Sequence, residues 1–153
     1  MNTSLRFLSS VSIFLLLMAL VFDIAQINHI KRDMKDSLDL STKAAALQLD
    51  EDPVKIGQGL FEINELKAKS VNTEFFYDNI VFDTENMSLI TTIVNTHTST
   101  TYKAPNSKSY LIDSPTIFSV ATYKYDGFFI NKEITVNLLS ASVLKNKNNL
   151  KNN

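Results

Sequence analysis

Residues 7–52 read FLSSVSIFLLLMALVFDIAQINHIKRDMKDSLDLSTKAAALQLDED, and the parsing of this stretch decides the fold. Its first part, Phe7 to Phe22, carries no charge and is bounded by Arg6 and Asp23. As a helix it spans ~24 Å, slightly short of a hydrocarbon core of ~30 Å. Leu5 and Ile24 lengthen it, because Arg6 can snorkel and Asp23 can sit at the interface. A cleaved signal peptide would need small residues at positions −3 and −1 of its cleavage site. Ala25 could stand at −1, but Asp23 would then occupy −3. An uncleaved anchor is therefore preferred over a signal peptide or a buried core helix.

Helical periodicity continues beyond Phe22. Ile24, Ile27, Ile30, Met34, Leu38 and Ala45 recur at steps of three, four or seven, and Ala44, Ala46, Leu47 and Leu49 broaden the stripe. No Gly or Pro interrupts the chain from Arg6 to Asp52, and Pro53 is the first stop signal. The pattern predicts one helix of about 45 residues. Residues 1–6 form a short N-terminal segment, 7–24 a transmembrane half and 25–52 an amphipathic continuation. The stripe's first use is packing on the chain's own domain. Its second is an interface with partner helices, for which Ile24, Ile27, Ile30, Met34, Leu38 and Ala45 are the candidates. Asp23 is a candidate membrane-interface carboxylate, because a charge beside an apolar span is costly and often functional. Its simplest role is to mark where the helix leaves the membrane. Orientation does not follow from charge: Arg6 and the α-amine lie on one side, Lys31, Arg32 and Lys35 on the other.

Residues 53–144 are expected to form a small α+β domain. Gly57 and Gly59 suggest a turn, and residues 64–80 a second helix with Leu66, Ala68, Val71, Phe75, Phe76 and Ile80 as apolar positions. From Met87 the composition turns to β-branched and aromatic residues. Strands are expected over 89–94, extending through 96–101, and over 109–112 and 116–125. Asp126-Gly127 reads as a hairpin turn, with 128–130 and 133–144 as the returning strand. The layout is a long helix, a short helix and an antiparallel sheet of three to four strands. The tail, residues 145–153 (KNKNNLKNN), is expected to be disordered.

The 15 basic and 16 acidic residues leave a net charge of −1, which gives no global field for nucleic acid. The chain has no cysteine, so disulfides, thiolate metal sites and cysteine nucleophiles are excluded. Roughly 125 residues remain beyond the apolar run, a marginal size for a hydrophobic core. His29 and His97 show no metal-ligand spacing, and no Gly-x-Ser-x-Gly elbow exists. Asp50-Glu51-Asp52 cannot all face one ion from a helix and reads as a solvated helix end. Asn2-Thr3-Ser4 and Asn86-Met87-Ser88 fit the short glycosylation sequon. No catalytic, cofactor or metal site is expected, and nothing in the sequence argues for an enzyme.

The stretch FDIAQINHIKRDMKDSLDLSTKAAALQLD, residues 22–50, resembles the N-terminal region of TadE/TadG-like proteins of tight-adherence (Flp-type) pilus systems. Asp23 falls on the first aspartate of that pattern, and Asp39, Ala44, Ala45, Ala46 and Leu47 on the second. GQGLFEINELKAKSVNTEFF and KEITVNLLSASV also resemble members from low-GC Gram-positive bacteria. The resemblance implies a pilin-like α+β fold and a pseudopilin-like subunit of the cell membrane, with a cytoplasmic N-terminus and an extracytoplasmic domain. Its partners would be membrane lipid and other pilus or secretion-system subunits, in homo- or hetero-oligomers, and its role assembly or capping. One departure matters. The chain has no Gly before Gly57 and no Glu before Glu51, so processing by a prepilin peptidase is not expected and permanent anchoring fits better. The alternative is a stand-alone membrane-anchored binding or sensor domain outside the cytoplasm.

Overall fold

In the computed structural model, which describes residues 3–57, 60–103 and 109–141, the opening stretch is a single unbroken helix, α1 (Thr3–Ala46). It ends six residues short of the expected Asp52. No breaker residue causes the stop; long-range pairing does. Leu47 and Gln48 donate to Ala44 and Ala45 in a tightening last turn, and Gln48 Nε2 reaches the Ala44 carbonyl at 3.3 Å. The chain then pairs with its own return: Asp50 N donates to Glu62 O, Asn64 N donates to Gln48 O, and Leu49 bridges Ile63. Between these segments lies a short helix, α2 (Pro53–Gly57), where the two glycines suggested only a turn.

Helix α3 (Glu65–Asp78) begins where a polar cap supplies its first acceptor, Asn64 Oδ1 to Lys67 N at 3.0 Å. Its buried positions are Ala68, Asn72 and Phe76. Leu66 and Phe75, expected on the inner face, are exposed, because a four-residue spacing from Ala68 turns them outward. At its far end the Asn79 carbonyl accepts Ser37 Oγ at 3.0 Å, which ties α3 to the middle of α1.

Five strands follow: β1 (Met87–Val94), β2 (Thr100–Lys103), β3 (Ser109–Ile112), β4 (Thr116–Asp126) and β5 (Asn131–Ala141). The first, fourth and fifth form an antiparallel sheet in the order β1-β4-β5. The other two form a separate hairpin, so residues 96–101 do not prolong β1 as expected: β1 ends at Val94 and β2 pairs with β3. Residues 128–130, expected as strand, belong to the loop that joins β4 to β5. The expected tail, 145–153, and the end of the expected last strand lie outside the described residues. The architecture is α+β, as the composition shift at Met87 implied.

Alternation along β4 decides which layer each residue joins. Ile117, Ser119 and Ala121 are buried with the helices, whereas Phe118 is covered by Tyr102 and Tyr110 of the small hairpin. One apolar cluster gathers Ile30, Met34, Leu38, Phe76, Ala121, Ile134 and Val136. A second, nearer the end of α1, gathers Ala45, Ala46, Ile63, Ala68 and Ile117. Asn72 lies fully buried and donates through Nδ2 to Thr91 Oγ1 at 2.6 Å and to Ser119 Oγ at 2.9 Å. Thr91 and Ser119 face each other across β1 and β4, so one amide ties α3 to a cross-strand pair.

Candidate functional site

The lengths of the elements position the site. The second half of α1, from Asp23 to Ala46, rises ~35 Å, and the eleven-residue strands β4 and β5 reach a similar length. Ile117 at one end of β4 meets Ala45 and Ala46. The other end of the hairpin therefore arrives beside Asp23, the residue that follows the apolar run.

There the carboxylate of Asp23 is completely buried and accepts four hydrogen bonds. Its Oδ1 receives Tyr125 Oη at 3.1 Å and Phe128 N at 3.1 Å; its Oδ2 receives Phe129 N at 2.7 Å and Ile130 N at 3.1 Å. The remaining amide of the loop, Gly127 N, donates to Ile130 O at 3.1 Å. Burial, followed by the hydrogen bond to Asp23, pushes the Tyr125 phenol above its ordinary pKa, which keeps it a donor. Gly127 is required by space. A Cβ there would sit 2.6 Å from Tyr125 Cε1, 2.7 Å from Asp23 Oδ1 and 2.8 Å from Asp23 Cγ.

Asp23 is thus a structural clamp, which its position at the end of the apolar run did not reveal. An open cleft of about 400 Å³ lies alongside, lined by Phe22, Asp23, Gln26, Tyr125, Asp126, Gly127 and Phe128. Phe128 is 78% exposed and Phe129 53%. Tyr125, Phe128, Phe129 and Ile130 were absent from the residues singled out by sequence. Only the turn pair Asp126-Gly127 pointed toward them, and it could not name a carboxylate more than a hundred positions away.

The six stripe residues divide. Ile30, Met34, Leu38 and Ala45 are buried against α3 and the sheet of the same chain. Ile27 is partly buried on the same cluster, and Ile24 is exposed. A partner could therefore reach Ile24 and the rim at Ile27, but not the other four. Ahead of Asp23, every apolar side chain described is exposed or only partly covered. Among the described residues α1 is the one helix long and apolar enough to cross a membrane, and its apolar window is almost entirely uncovered by the domain.

A second polar cluster closes the connection after α1. Lys55 Nζ meets Glu62 Oε2 at 2.6 Å and Asp50 Oδ2 at 3.2 Å. The Lys55 ammonium holds the Glu62 carboxyl below its usual range, and the two carboxylates raise Lys55 in turn. His97 Nε2 lies 3.6 Å from Glu62, and His29 Nδ1 2.8 Å from Asp33. Glu51 pairs with Lys67, and Asp52 Oδ1 accepts Val54 N, so the Asp50–Asp52 run serves a connection and not a helix end. No group of three or more His, Asp or Glu side chains among the described residues could hold a metal ion. Comparison with protein-family models, curated proteins and solved structures finds no match for the chain.

Proposed function

We propose that this chain is a membrane-anchored structural or assembly subunit whose exposed half-helix packs beside partner helices in the bilayer. The observation that carries the reading is the continuity of α1 from an uncovered apolar half into a domain core, with no linker between them. An apolar helix with no intramolecular cover must bury its surface in lipid, in other helices, or in both. The Asp23 clamp fixes the domain at the point where that helix emerges, so anchor and domain turn as one body. A domain that only needed tethering would work equally well on a flexible linker. An assembly subunit needs its orientation set.

The resemblance of residues 22–50 to TadE/TadG-like proteins supports a Tad/Flp-type pilus or related secretion apparatus, with the N-terminus cytoplasmic and the domain outside. Such a subunit would act as a pseudopilin-like or minor pilin-like component held permanently in the membrane. The partner interface would lie on Ile24 and the residues before it.

The cysteine-free chain makes the test direct. Single cysteines at Ile13, Leu15, Leu17 and Ile24 are cross-linked in cells with a thiol-reactive reagent. Cross-links to one partner are expected at positions sharing a helix face, with a period near 3.6. Absence of any cross-link at all four positions would overturn the reading and leave a solitary anchored domain.

A further inference from the structure

We infer that the loop joining β4 to β5 is a second membrane contact, with Phe128 and Phe129 seated in the lipid surface beside the point where α1 emerges. This rests on the reading that Phe7 to Phe22 spans a bilayer. The occupant is the bilayer interface itself, and the loop fits it in three respects.

The first is level. Asp23 follows the apolar run directly and holds the amides of Phe128, Phe129 and Ile130, so the loop cannot lie elsewhere along the helix axis. Phe22, itself 53% exposed, borders the same cleft as Phe128. The exposed apolar side chains of the helix end and of the loop thus flank one cleft, whose lining also includes Gln26 and Asp126.

The second is backbone chemistry. An irregular loop is normally kept out of a low-dielectric region by its unpaired N–H groups. Here all four amides from Gly127 to Ile130 are paired within the protein, three on one carboxylate and one across the loop. The carboxylate is shielded in exchange, because the loop wraps it to complete burial. The third is composition. Phe128-Phe129-Ile130 is uncharged, and Phe128 and Phe129 present two large aromatic side chains outward.

Two contacts at different places around the helix would fix the domain's rotation and tilt relative to the membrane plane, which one span alone does not do. The chain has no tryptophan, so each position can be probed alone. The full chain is reconstituted in vesicles of mixed zwitterionic and anionic phospholipid, with or without lipids brominated high on the acyl chain. Phe128→Trp and Phe129→Trp report the loop, Phe14→Trp the span, and Leu66→Trp the exposed start of α3 at the opposite end of the domain.

The expected result is blue-shifted emission and loss of most intensity to brominated lipid for the two loop variants and for Phe14→Trp, with Leu66→Trp unaffected. Quenching of Phe14→Trp without quenching of either loop variant overturns the inference and spares the anchor. Loop variants protected from an aqueous quencher yet insensitive to brominated lipid also overturn it, since protein would then be the cover. Failure of Phe14→Trp to be quenched removes the membrane reading and the inference with it.

Discussion

At the scale of a residue, Asp23 shows how one carboxylate can organise a loop that local propensity leaves undefined. Four donors converge on its two oxygens, three of them backbone amides with no other partner in the loop. Charge-assisted bonds of this kind are stronger than neutral ones. Asp23→Asn replaces one acceptor oxygen by an NH₂ group that must face at least one amide donor. The variant should keep the helix yet open the loop. Hydrogen exchange at Phe128, Phe129 and Ile130 is expected to speed up ~10-fold or more, while exchange in the middle of β4 stays unchanged. Gly127→Ala attacks the same clamp from the other side. The added methyl group needs space held by Tyr125 and Asp23, and neither can move without losing the hydrogen bond between them. Overpacking of this sort costs about 1–3 kcal/mol, which denaturant unfolding in detergent would register as a lower midpoint at constant slope.

At the scale of an element, the interesting segment is the connection between α1 and α3, which sequence rules describe poorly. Residues 43–52 hold no Gly or Pro, so the helix was expected to continue to Asp52. The stop at Ala46 comes from groups distant in the chain. Ile63, almost fully buried, packs on Ala45 and Ala46, and its backbone N–H and C=O pair with the side-chain amide of Asn95 at 2.9 and 3.0 Å. Lys55 then pins the connection between Asp50 and Glu62. The pair makes a stated pH dependence. Glu62 is held below its usual pKa, so its contribution is complete above the unfolded carboxyl value and disappears as pH falls through the folded value. Lys55 is raised, so its contribution is complete below the unfolded amine value and disappears only as pH rises through the folded one. Between these limits the Lys55–Glu62 pairing itself does not change, and His97, 3.6 Å from Glu62, adds to it only when protonated. The melting temperature of Glu62→Gln should therefore lie below that of the unaltered chain near neutral pH, and the two should converge in acid. A margin that persists unchanged at low pH would show that charge is not its source.

The same segment marks how far sequence reading carries. Helix α1, helix α3, the β-rich half and the hairpin turn at Asp126-Gly127 were legible because each is written in local periodicity or turn chemistry. Asn72 was not, since a polar residue in an apolar stripe reads as surface until its partners Thr91 and Ser119 are known. The four acceptor bonds of Asp23 were hidden for a like reason: the partners lie 102 to 107 positions away. The stripe itself was read correctly as apolar, but its period could not assign Ile30, Met34, Leu38 and Ala45 to the chain's own core or to a partner.

At the scale of the whole molecule, α1 is one rigid helix with an uncovered half and a packed half that meet at Asp23. Among the described residues, no buried side chain precedes that position, and the apolar clusters draw only on residues after it. The domain's stability should therefore be independent of the apolar first half of α1. A fragment of residues 21–153 retains Asp23, both clusters of α1 and the whole sheet, and leaves the first uncapped turn outside the core. It is expected to fold in water without detergent, with the circular dichroism of a mixed α+β protein and a single cooperative melt. A fragment of residues 31–153 lacks the clamp and Ile30, which is buried against the sheet. It should melt lower, and the amides of Phe128, Phe129 and Ile130 should exchange freely. A fragment of residues 47–153 removes Met34, Leu38, Ala45 and Ala46 together, and exposes Phe76, Ala121 and Ile117 to solvent. Losses of several buried side chains at ~2–5 kcal/mol each exceed the stability of a domain this small, so that fragment is expected not to fold. Should the fragment of residues 21–153 fail as well, the apolar half of α1 would have a folding role that its exposed surface does not predict.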